Sequence, residues 1–331
     1  MGVLVTGGAG YIGSHMVWEL LDHGEDVVVL DNLTTGFDWA VPERARLVVG
    51  DIGDLDLVCD LIAEADIDTI VHFAGSVVVP ESVEDPLKYY KNNTSNTRTL
   101  LEAAVRGGVD KFIFSSTAAV YGAPMTSGPL REDAILNPVS PYGASKLMSE
   151  MMVRDTALAH GMRYVMLRYF NVAGADPMKR AGQSTDGATH LIKIACETAL
   201  GKRSHMAIFG TDYDTPDGTC VRDYIHVSDL VNAHYAALNF LRQGGLKFTA
   251  NCGYSRGYSV REVVEAVQRI SGNAFPVVEE KRRAGDPPRL VSNSHRLQNR
   301  LDWKPQHDNL DEIIETALAW ESELNHKRRS A

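Results

Sequence analysis

A tyrosine and a lysine with the spacing Y-x-x-x-K, Tyr142 and Lys146, are the pair in this chain best suited to acid–base chemistry. On a helix this spacing places both side chains on one face, about one turn apart. A phenol has an ordinary pKa of about 10, but a neighbouring ammonium group favours the phenolate and lowers that pKa. Thr117 follows a predicted strand, so its hydroxyl is expected at the same crevice. We therefore predict a general base at Tyr142, assisted by Lys146 and Thr117.

A glycine-rich segment near the start of the chain predicts a dinucleotide site. Its spacing is G-x-x-G-x-x-G, formed by Gly7, Gly10 and Gly13. The segment lies between a β-branched run, 3–5, and an apolar-periodic helix, 12–21, so a pyrophosphate can approach the helix N-terminus closely. The next strand, 26–30, is followed by Asp31, whose carboxylate can bind ribose hydroxyls and repels a 2′-phosphate. Because the four residues after Asp31 include no arginine, the sequence favours NAD over NADP.

Charge and residue usage limit the partners. The chain has 331 residues and a formal net charge of -10, which argues against nucleic acid and anionic membrane as main partners. Its four cysteines are far apart and its eleven histidines lack metal-ligand spacing, so we expect neither a disulfide framework nor a metal site. Without a long apolar run or a leader-like start, the sequence predicts a cytoplasmic protein.

The order of predicted elements indicates an α/β fold with a doubly wound parallel (Rossmann) sheet. Strands and helices alternate through the first half, with strands at 47–49, 69–73, 111–115 and 164–168 and helices at 55–65, 86–106 and 142–160. Residues 1–171 are expected to form the NAD-binding domain, with later segments crossing back into it. Residues 172–331 are expected to form a smaller mixed α/β domain, with helices at 189–200, 228–241, 260–271 and 310–323.

Taken together, these motifs resemble the extended short-chain dehydrogenase/reductase family. The segments that carry the resemblance are the glycine fingerprint, Asp31, 51–52, 72–75, 115–117, 121–122, Tyr142 with Lys146, 167–171, 207–210, 221–226 and 283–286. Within the family, the likeness is to the group that interconverts UDP-galactose and UDP-glucose, and it extends to about Trp320. The resemblance implies a homodimer formed through helices 86–106 and 142–160.

The resemblance also implies an NAD site along the first half of the chain. The expected cofactor contacts are Gly7, Gly10, Tyr11, Ile12, Gly13, Asp31, Asn32, Thr35, Asp51, Ile52, Phe73, Ala74, Gly75, Asn93, Ser115, Tyr142, Lys146 and Tyr169. Among them, Tyr11 and Ile12 would cover the pyrophosphate. Lys146 would bind the nicotinamide ribose while it polarises Tyr142.

A second set of residues would hold a UDP-sugar. The expected contacts are Thr117, Tyr142, Asn171, His190, Leu191, Ala207, Phe209, Arg222, Arg283, Asp286 and Leu290. Arg222 and Arg283 also make sense independently, because a diphosphate needs planar, permanently charged donors. Residues 172–331 would therefore be the nucleotide-sugar-binding domain.

Three positions depart from the family pattern. Val77 stands where members often carry a lysine that contacts the cofactor, so the chain is expected to hold NAD less firmly. His190 stands where some members have asparagine, and both residues can donate a hydrogen bond. Leu290 stands at the position where a tyrosine excludes sugars with an N-acetyl group at C2, so weak activity on such sugars is expected.

The expected reaction is reversible epimerisation at C4 of a UDP-hexose, UDP-galactose to UDP-glucose, through a 4-keto intermediate with tightly bound NAD. A 4-epimerase of UDP-N-acetylglucosamine or a UDP-pentose is one alternative. A 4,6-dehydratase is another, but those enzymes carry Asp-Glu after the active-site threonine, where this chain has Ala118 and Ala119. A non-catalytic dinucleotide sensor typically lacks the tyrosine that is present here as Tyr142.

Overall fold

A computed structural model describes residues 2–124, 128–283 and 285–330, with side chains described up to Leu324. The first half alternates strand and helix as the sequence predicts. Its elements are β1 (Gly2–Thr6), α1 (Tyr11–Asp22), β2 (Val27–Asp31), β3 (Arg46–Val49), α2 (Leu55–Glu64), β4 (Ile67–His72), α3 (Val79–Glu84), α4 (Pro86–Tyr89), α5 (Asn96–Arg106), β5 (Lys111–Thr117), α6 (Pro141–His160) and β6 (Arg163–Tyr169).

The second half has shorter strands and longer connections. Its elements are β7 (Asn171–Ala173), α7 (Leu191–Ala199), β8 (Met206–Phe209), β9 (Val221–Arg222), β10 (Tyr224–His226), α8 (Val227–Arg242), β11 (Lys247–Cys252), β12 (Tyr258–Ser259), α9 (Val260–Ser271), β13 (Val277–Glu280), β14 (Arg289–Leu290), α10 (His295–Leu301) and α11 (Leu310–Ser330). Three small sheets are formed here, by β7 with β10, by β8 with β13, and by β9 with β12 and β14.

A seven-stranded parallel sheet forms the centre of the molecule, in the order β11-β6-β5-β4-β1-β2-β3. Side chains alternate between its two faces, so that Val3 and Val5 pack with α1 and α8, while Leu4 packs on the opposite face with α2 and α5. Strand order reverses between β1 and β4, and parallel sheets bind ligands at the carboxyl ends of strands beside such a reversal. The predicted doubly wound α/β class is confirmed.

Two of the details that the sequence did not identify concern the central sheet and the helices beside it. Later segments were expected to cross back into the first half, but the strand that does so was not identified. The edge strand β11 comes late in the chain and returns to the main sheet beside β6; its sequence, KFTANC, lacks the apolar run of a buried strand. The single helix expected at 86–106 is instead divided by a π-helical turn, Tyr90–Ser95, which lies between α4 and α5. Such turns release backbone groups for other bonds, and here the Asn93 carbonyl accepts hydrogen bonds from the Thr97 and Ser149 hydroxyls.

Within the residues that the structure describes, no helix is both long enough and apolar enough to cross a membrane.

Candidate active site

The glycine-rich loop between β1 and α1 is packed too closely for larger residues. Gly7 has a φ of +71°, and a Cβ built on it would lie 2.6 Å from the Ala74 nitrogen. A Cβ on Gly13 would lie 2.1 Å from the Gly7 carbonyl oxygen. Glycine at these two positions therefore lets the loop and the first turn of α1 approach each other and the end of β4.

The first turn of α1 has the properties of an anion site. Gly10 is its N-cap and has no side chain to occupy the free N–H groups, and the turn carries no acidic residue. A cavity above this turn is lined by Ala9, Gly10, Tyr11, Ser14, Thr35, Phe37, Ala40, Gly182, Ser184 and Thr185. The close-packed glycines, the uncapped helix start and the cavity fit the pyrophosphate of a dinucleotide.

Asp31, at the end of β2, is arranged to receive a ribose. One carboxylate oxygen accepts a hydrogen bond from the Ala9 N–H at 2.9 Å and the other from the Leu33 N–H at 2.8 Å. Each oxygen keeps a further lone pair for a hydroxyl group. Burial raises the pKa of Asp31, while the two backbone N–H groups oppose that shift.

The expected adenine-side residues form one hydrogen-bonded group. Asp51 accepts bonds from the Asn32 amide at 3.1 Å, from the Asn96 amide at 2.9 Å and from the Gly53 N–H at 2.7 Å. The neighbouring Ile52 is buried in the apolar layer behind β2. Asp51 is therefore held by the structure before any ligand contributes.

The loop after β4 is fixed by Asn93. The Phe73 and Ala74 N–H groups both donate to the Thr6 carbonyl, at 3.0 and 3.1 Å. Asn93 accepts from the Ser76 N–H and donates to the Ser76 carbonyl and to the Ser145 hydroxyl, so all its strong bonding groups are engaged. Asn93 thus joins this loop to α6, and a Cβ on Gly75 would lie 3.0 Å from its amide oxygen.

The predicted acid–base residues meet where β5 ends and α6 begins. Ser140 caps α6 by accepting from the Gly143 N–H at 3.2 Å, which places Tyr142 and Lys146 in its first two turns. Thr117 accepts a bond from the Ala119 N–H through its hydroxyl, and the same hydroxyl opposes the rise that burial causes in the pKa of Tyr142. The structure therefore places the Thr117 hydroxyl beside the Tyr142 phenol.

Lys146 is buried behind this pair. Its ammonium nitrogen lies 3.4 Å from the Ser115 hydroxyl oxygen and 4.4 Å from the centroid of the Phe114 ring. Burial lowers its pKa from 10.5 to about 7, and the negative charge of Glu150 opposes that shift. Burial raises the pKa of Tyr142, and the Thr117 hydroxyl lowers it. The surroundings thus disfavour the charged forms of both side chains, the Lys146 ammonium group and the Tyr142 phenolate. A bound cation would favour the phenolate.

Residues expected at the nucleotide end lie on the second half of the chain. Asn171, His190 and Leu191 line one cavity beside α7 and α11. His190 is the N-cap residue of α7, and its Nδ1 lies 2.8 Å from the Gln183 amide nitrogen. Because that amide nitrogen is a donor, His190 Nδ1 accepts and its Nε2 carries the hydrogen. Burial lowers the pKa of His190, so the ring is a neutral donor.

The remaining predicted contacts form two pairs. Phe209 ends β8, which also carries Ala207, and the guanidinium of Arg283 lies over the Phe209 ring. Arg222 lies 3.5 Å from the Asp286 carboxylate and donates to the Pro287 carbonyl at 2.9 Å. Leu290 is the β-sheet partner of Arg222, since β14 pairs with β9.

Comparison with known proteins identifies the chain. The sequence model described as the NAD dependent epimerase/dehydratase family matches residues 3–253. The chain belongs to this epimerase/dehydratase family. It is 58% identical to a UDP-glucose 4-epimerase of Azospirillum brasilense, over 97% of this chain and 92% of that protein.

Solved structures of this epimerase/dehydratase family have the same fold. One is a UDP-glucose 4-epimerase from Brucella ovis in complex with NAD, at 44% identity and a TM-score of 0.93, covering 96% of this chain and 97% of that one. Another is the UDP-Glc/GlcNAc 4-epimerase of Campylobacter jejuni, at 46% identity and a TM-score of 0.85, covering 97% and 99%.

Three features of this family member had no signal in the sequence. Gly182, Ser184 and Thr185 line the cavity above the glycine loop, although they belong to an irregular connection far along the chain. Gln183, in the same connection, is hydrogen-bonded to the ring of His190 at the start of α7. Tyr169, an expected cofactor contact, is hydrogen-bonded to His234 of α8.

Proposed function

We propose that this chain is a UDP-glucose 4-epimerase, which interconverts UDP-galactose and UDP-glucose with NAD bound throughout the reaction. The observation that carries the proposal is the placement of Tyr142 beside the Thr117 hydroxyl, with Lys146 one turn further along α6 and bonded to Ser115 on β5. This pair lies at the carboxyl ends of the strands, on the edge of the sheet that also carries the glycine loop. An acid–base pair beside a dinucleotide site is what oxidation and reduction of a carbinol require.

The protein groups that move a proton are Thr117 and Tyr142. Tyr142, as the phenolate, takes the proton of the sugar 4-hydroxyl, with the Thr117 hydroxyl in the hydrogen-bond path. NAD, when bound, supplies the hydride acceptor and donor for C4 and a positive charge that favours the phenolate. Lys146 binds the nicotinamide ribose and adds its own charge. The 4-keto sugar then takes back a proton from Tyr142 after it has presented its opposite face.

Residues at the other end hold the UDP moiety while the sugar turns. Arg222 and Arg283 supply the charged donors for the diphosphate, and both are held in place, by Asp286 and by the Phe209 ring respectively. Asn171, His190 and Leu191 contact the nucleotide from α7 and β7. Firm binding at this end with few sugar contacts permits rotation of the ketone within the pocket.

Two residues argue against the dehydratase alternative. Elimination of water needs an acid and a base after the active-site threonine, and this chain has Ala118 and Ala119 there. These alanines begin a short 3₁₀ turn, and neither can transfer a proton because a methyl side chain carries no acidic or basic group. The sugar range extends weakly to the N-acetylated hexose, because Leu290 stands where a tyrosine would exclude it.

The proposal includes a homodimer. Met148, Met151 and Leu158 follow one another at helical spacing along an exposed face of α6. Val83 and Leu87, on α3 and α4 beside α6, are also exposed, at 63% and 76%. A second copy of the chain would cover this apolar surface, which lies near the helices that the family resemblance implies for a homodimer.

The proposal also assigns a binding site to each half of the chain and a cellular compartment to the protein. Residues 1–171, together with β11, provide the NAD site, and residues 172–331 provide most of the nucleotide-sugar site. Free thiols at all four cysteines, Cys59, Cys196, Cys220 and Cys252, suit a reducing cytoplasm. The reaction places the enzyme in galactose metabolism.

The deciding experiment incubates the purified chain with UDP-galactose without added NAD and measures UDP-glucose. Turnover is expected in the wild type. Tyr142→Phe should keep the fold and the bound NAD but lose on the order of 10² or more in kcat, because it lacks a positioned proton carrier.

A matched control is Tyr235→Phe, which removes a hydroxyl from a tyrosine stacked on His23, in a helix pair away from α6. It should turn over like the wild type. Near-normal turnover in folded, NAD-loaded Tyr142→Phe would rule out its role as the base, and an inactive wild type would rule out the epimerase.

A further inference from the structure

A row of polar side chains runs from Lys146 into the buried side of α8. The ammonium group of Lys146 donates to the Ser115 hydroxyl at 3.4 Å, and the Ser115 hydroxyl lies beside the Tyr169 phenol, where it opposes the rise that burial causes in the pKa of Tyr169. The Tyr169 hydroxyl in turn contacts Nε2 of His234. His234 Nδ1 lies 2.8 Å from the Leu230 carbonyl oxygen, one turn earlier in the helix. All four side chains are less than 9% exposed.

The contact of His234 with the Leu230 carbonyl fixes which group donates and which accepts along this row of side chains. A carbonyl oxygen only accepts, so His234 Nδ1 carries the ring hydrogen. Burial lowers the pKa of His234 to about 4, so the ring is neutral at pH 7 and Nε2 is an acceptor. The Tyr169 hydroxyl therefore donates to His234, which leaves its oxygen to accept from Ser115. Ser115 in turn offers its own lone pairs to Lys146.

The same histidine supports a second cofactor contact. Its ring lies 5.0 Å from the Phe73 ring, centroid to centroid, at a tilt of 41°. Phe73 begins the loop that follows β4, and Tyr169 ends β6, so His234 lies behind two of the residues expected to hold NAD. It is fully buried and belongs to the second half of the chain, outside the residues expected to touch either ligand.

We infer that His234 is a positioning residue for the redox half of the site, acting through Tyr169, Ser115 and Lys146. This inference rests on the proposed function. The imidazole holds the Tyr169 hydroxyl, and through it the Ser115 oxygen, at the place where the Lys146 ammonium group binds. It thereby fixes the lysine that is to meet the nicotinamide ribose, while it leaves the UDP anchors untouched.

Two variants separate the two bonds of the imidazole. In His234→Gln the amide oxygen reaches the position of Nε2 and can still accept from Tyr169. In His234→Asn the shorter amide reaches only the position of Nδ1, so it keeps the Leu230 bond and leaves the Tyr169 hydroxyl without its acceptor. Leu238→Ala, one turn further along α8 and fully buried, is the control for lost packing alone.

The three variants and the wild type are compared by melting temperature, by calorimetric Kd for NAD in the stripped protein, and by kcat and KM for UDP-galactose. His234→Asn is expected to weaken NAD binding and to lower kcat by roughly tenfold each, the usual effect of one unpaired buried donor. Its KM for UDP-galactose should stay within about twofold of the wild type. His234→Gln should recover most of both losses, and Leu238→Ala should lower only the melting temperature.

A double variant adds an independent check. Because Tyr169→Phe removes the group that His234 holds, its losses should not add to those of His234→Asn. Equal NAD affinity in the Gln and Asn variants would overturn the inference, as would a change in melting temperature alone. If the wild type fails to turn over UDP-galactose, the proposed function fails, and the NAD affinities of the two variants still decide the role of His234.

Discussion

The Arg283 guanidinium carbon lies 3.7 Å from the centroid of the Phe209 ring. Phe209 ends β8 and pairs with Glu280 at the end of β13, and Arg283 lies three residues further, in the connection to β14, so the stack fixes the start of that connection over the end of the sheet. A guanidinium held flat on a ring loses little further freedom when it binds an anion. The contact therefore presents a prepared donor to the diphosphate of the substrate.

Replacement of this arginine should weaken substrate binding and not chemistry. Arg283→Lys keeps the charge but loses the planar pair of donors and the stack on Phe209. We expect KM for UDP-galactose to rise by about tenfold with kcat changed less than about twofold, because the anchor is the same in ground and transition states. Steady-state kinetics on UDP-galactose measures both.

Its neighbour provides the control for this experiment. Arg282 lies over the Tyr213 ring and pairs with Asp212 at 2.6 Å, so its donors are already engaged within the protein. Arg282→Lys should leave KM within about twofold of the wild type. An unchanged KM in Arg283→Lys would show that general positive charge, and not the Arg283 geometry, attracts the substrate, and a similar rise in both variants would show that the effect is not specific to Arg283.

Burial of the Lys146 ammonium group should destabilise the folded, NAD-free protein at neutral pH. Its pKa falls from 10.5 in the unfolded chain to about 7 in the fold because of desolvation. Between these values the unfolded state binds a proton that the folded state lacks, so stability rises with pH over that window. At pH 7 the deficit is about 4 kcal/mol, since one pKa unit corresponds to ~1.4 kcal/mol.

Lys146→Met tests this sign, because methionine has a similar shape and no charge. Urea unfolding of the NAD-free proteins, with their thiols reduced, should give the variant a larger free energy of unfolding than the wild type at pH 7. This difference should shrink as the pH rises toward 10. Lys111→Met is the control, since that buried lysine pairs with Asp68 and Asp110 and its removal should destabilise the fold. A pH-independent gap for Lys146→Met would contradict the desolvation argument.

Sequence reasoning predicted the parts of the molecule whose structure is determined by residues close together in the chain. The glycine loop, the tyrosine–lysine spacing and the strand–helix alternation depend on neighbours within a few residues, and the structure places these elements as expected. Contacts made by distant segments left no such signal. Gln183 reaches His190, and His234 reaches Tyr169, only because the fold brings separate elements together.

The π-helical turn shows the same limit within a single helix. The sequence around Asn93 is compatible with a continuous helix from 86 to 106, and its apolar spacing is helical. The extra residue in the turn is favoured by tertiary bonds, from Ser149 to the Asn93 carbonyl and from Asn93 to Ser76 and Ser145. The bonds to Ser145 and Ser149 form only when α6 packs against this segment, and the bond to Ser76 forms only when the loop after β4 does so.

Val77 should make NAD easier to remove. This residue is 51% exposed and directly follows Ser76, which Asn93 holds in place. A lysine at this position would add a cation on a fixed loop, and such a charge contributes roughly ten- to hundredfold in affinity for an anionic ligand. Val77→Lys should therefore slow the loss of NAD during dialysis, measured as bound NAD per chain over time.

The control places the same substitution far from the loop. Leu246 is 69% exposed just before β11, and Leu246→Lys should lose NAD at the wild-type rate. If the wild type never releases NAD and Val77→Lys behaves identically, the missing cation has no bearing on cofactor retention.

Leu290 should admit an N-acetylated sugar. It is half-buried on β14, packs beside the cluster of Ala118, Tyr121 and Phe170, and pairs with Arg222 across to β9. Leucine leaves the space of the outer tyrosine ring open but offers no hydrogen bond to the acetamide. We therefore expect turnover of UDP-N-acetylglucosamine with kcat/KM roughly ten- to two-hundredfold below that for UDP-galactose, the usual discrimination from one group of this size.

Two substitutions at this position test the steric argument. Leu290→Tyr fills the space and should abolish activity on UDP-N-acetylglucosamine, while turnover of UDP-galactose stays near the wild-type rate. Leu290→Met conserves volume and should keep both activities. Absence of any wild-type turnover of UDP-N-acetylglucosamine at high enzyme concentration would mean that another residue closes the pocket. Loss of both activities in Leu290→Tyr would instead indicate that the ring displaces Arg222, its partner on β9, and with it the diphosphate anchor.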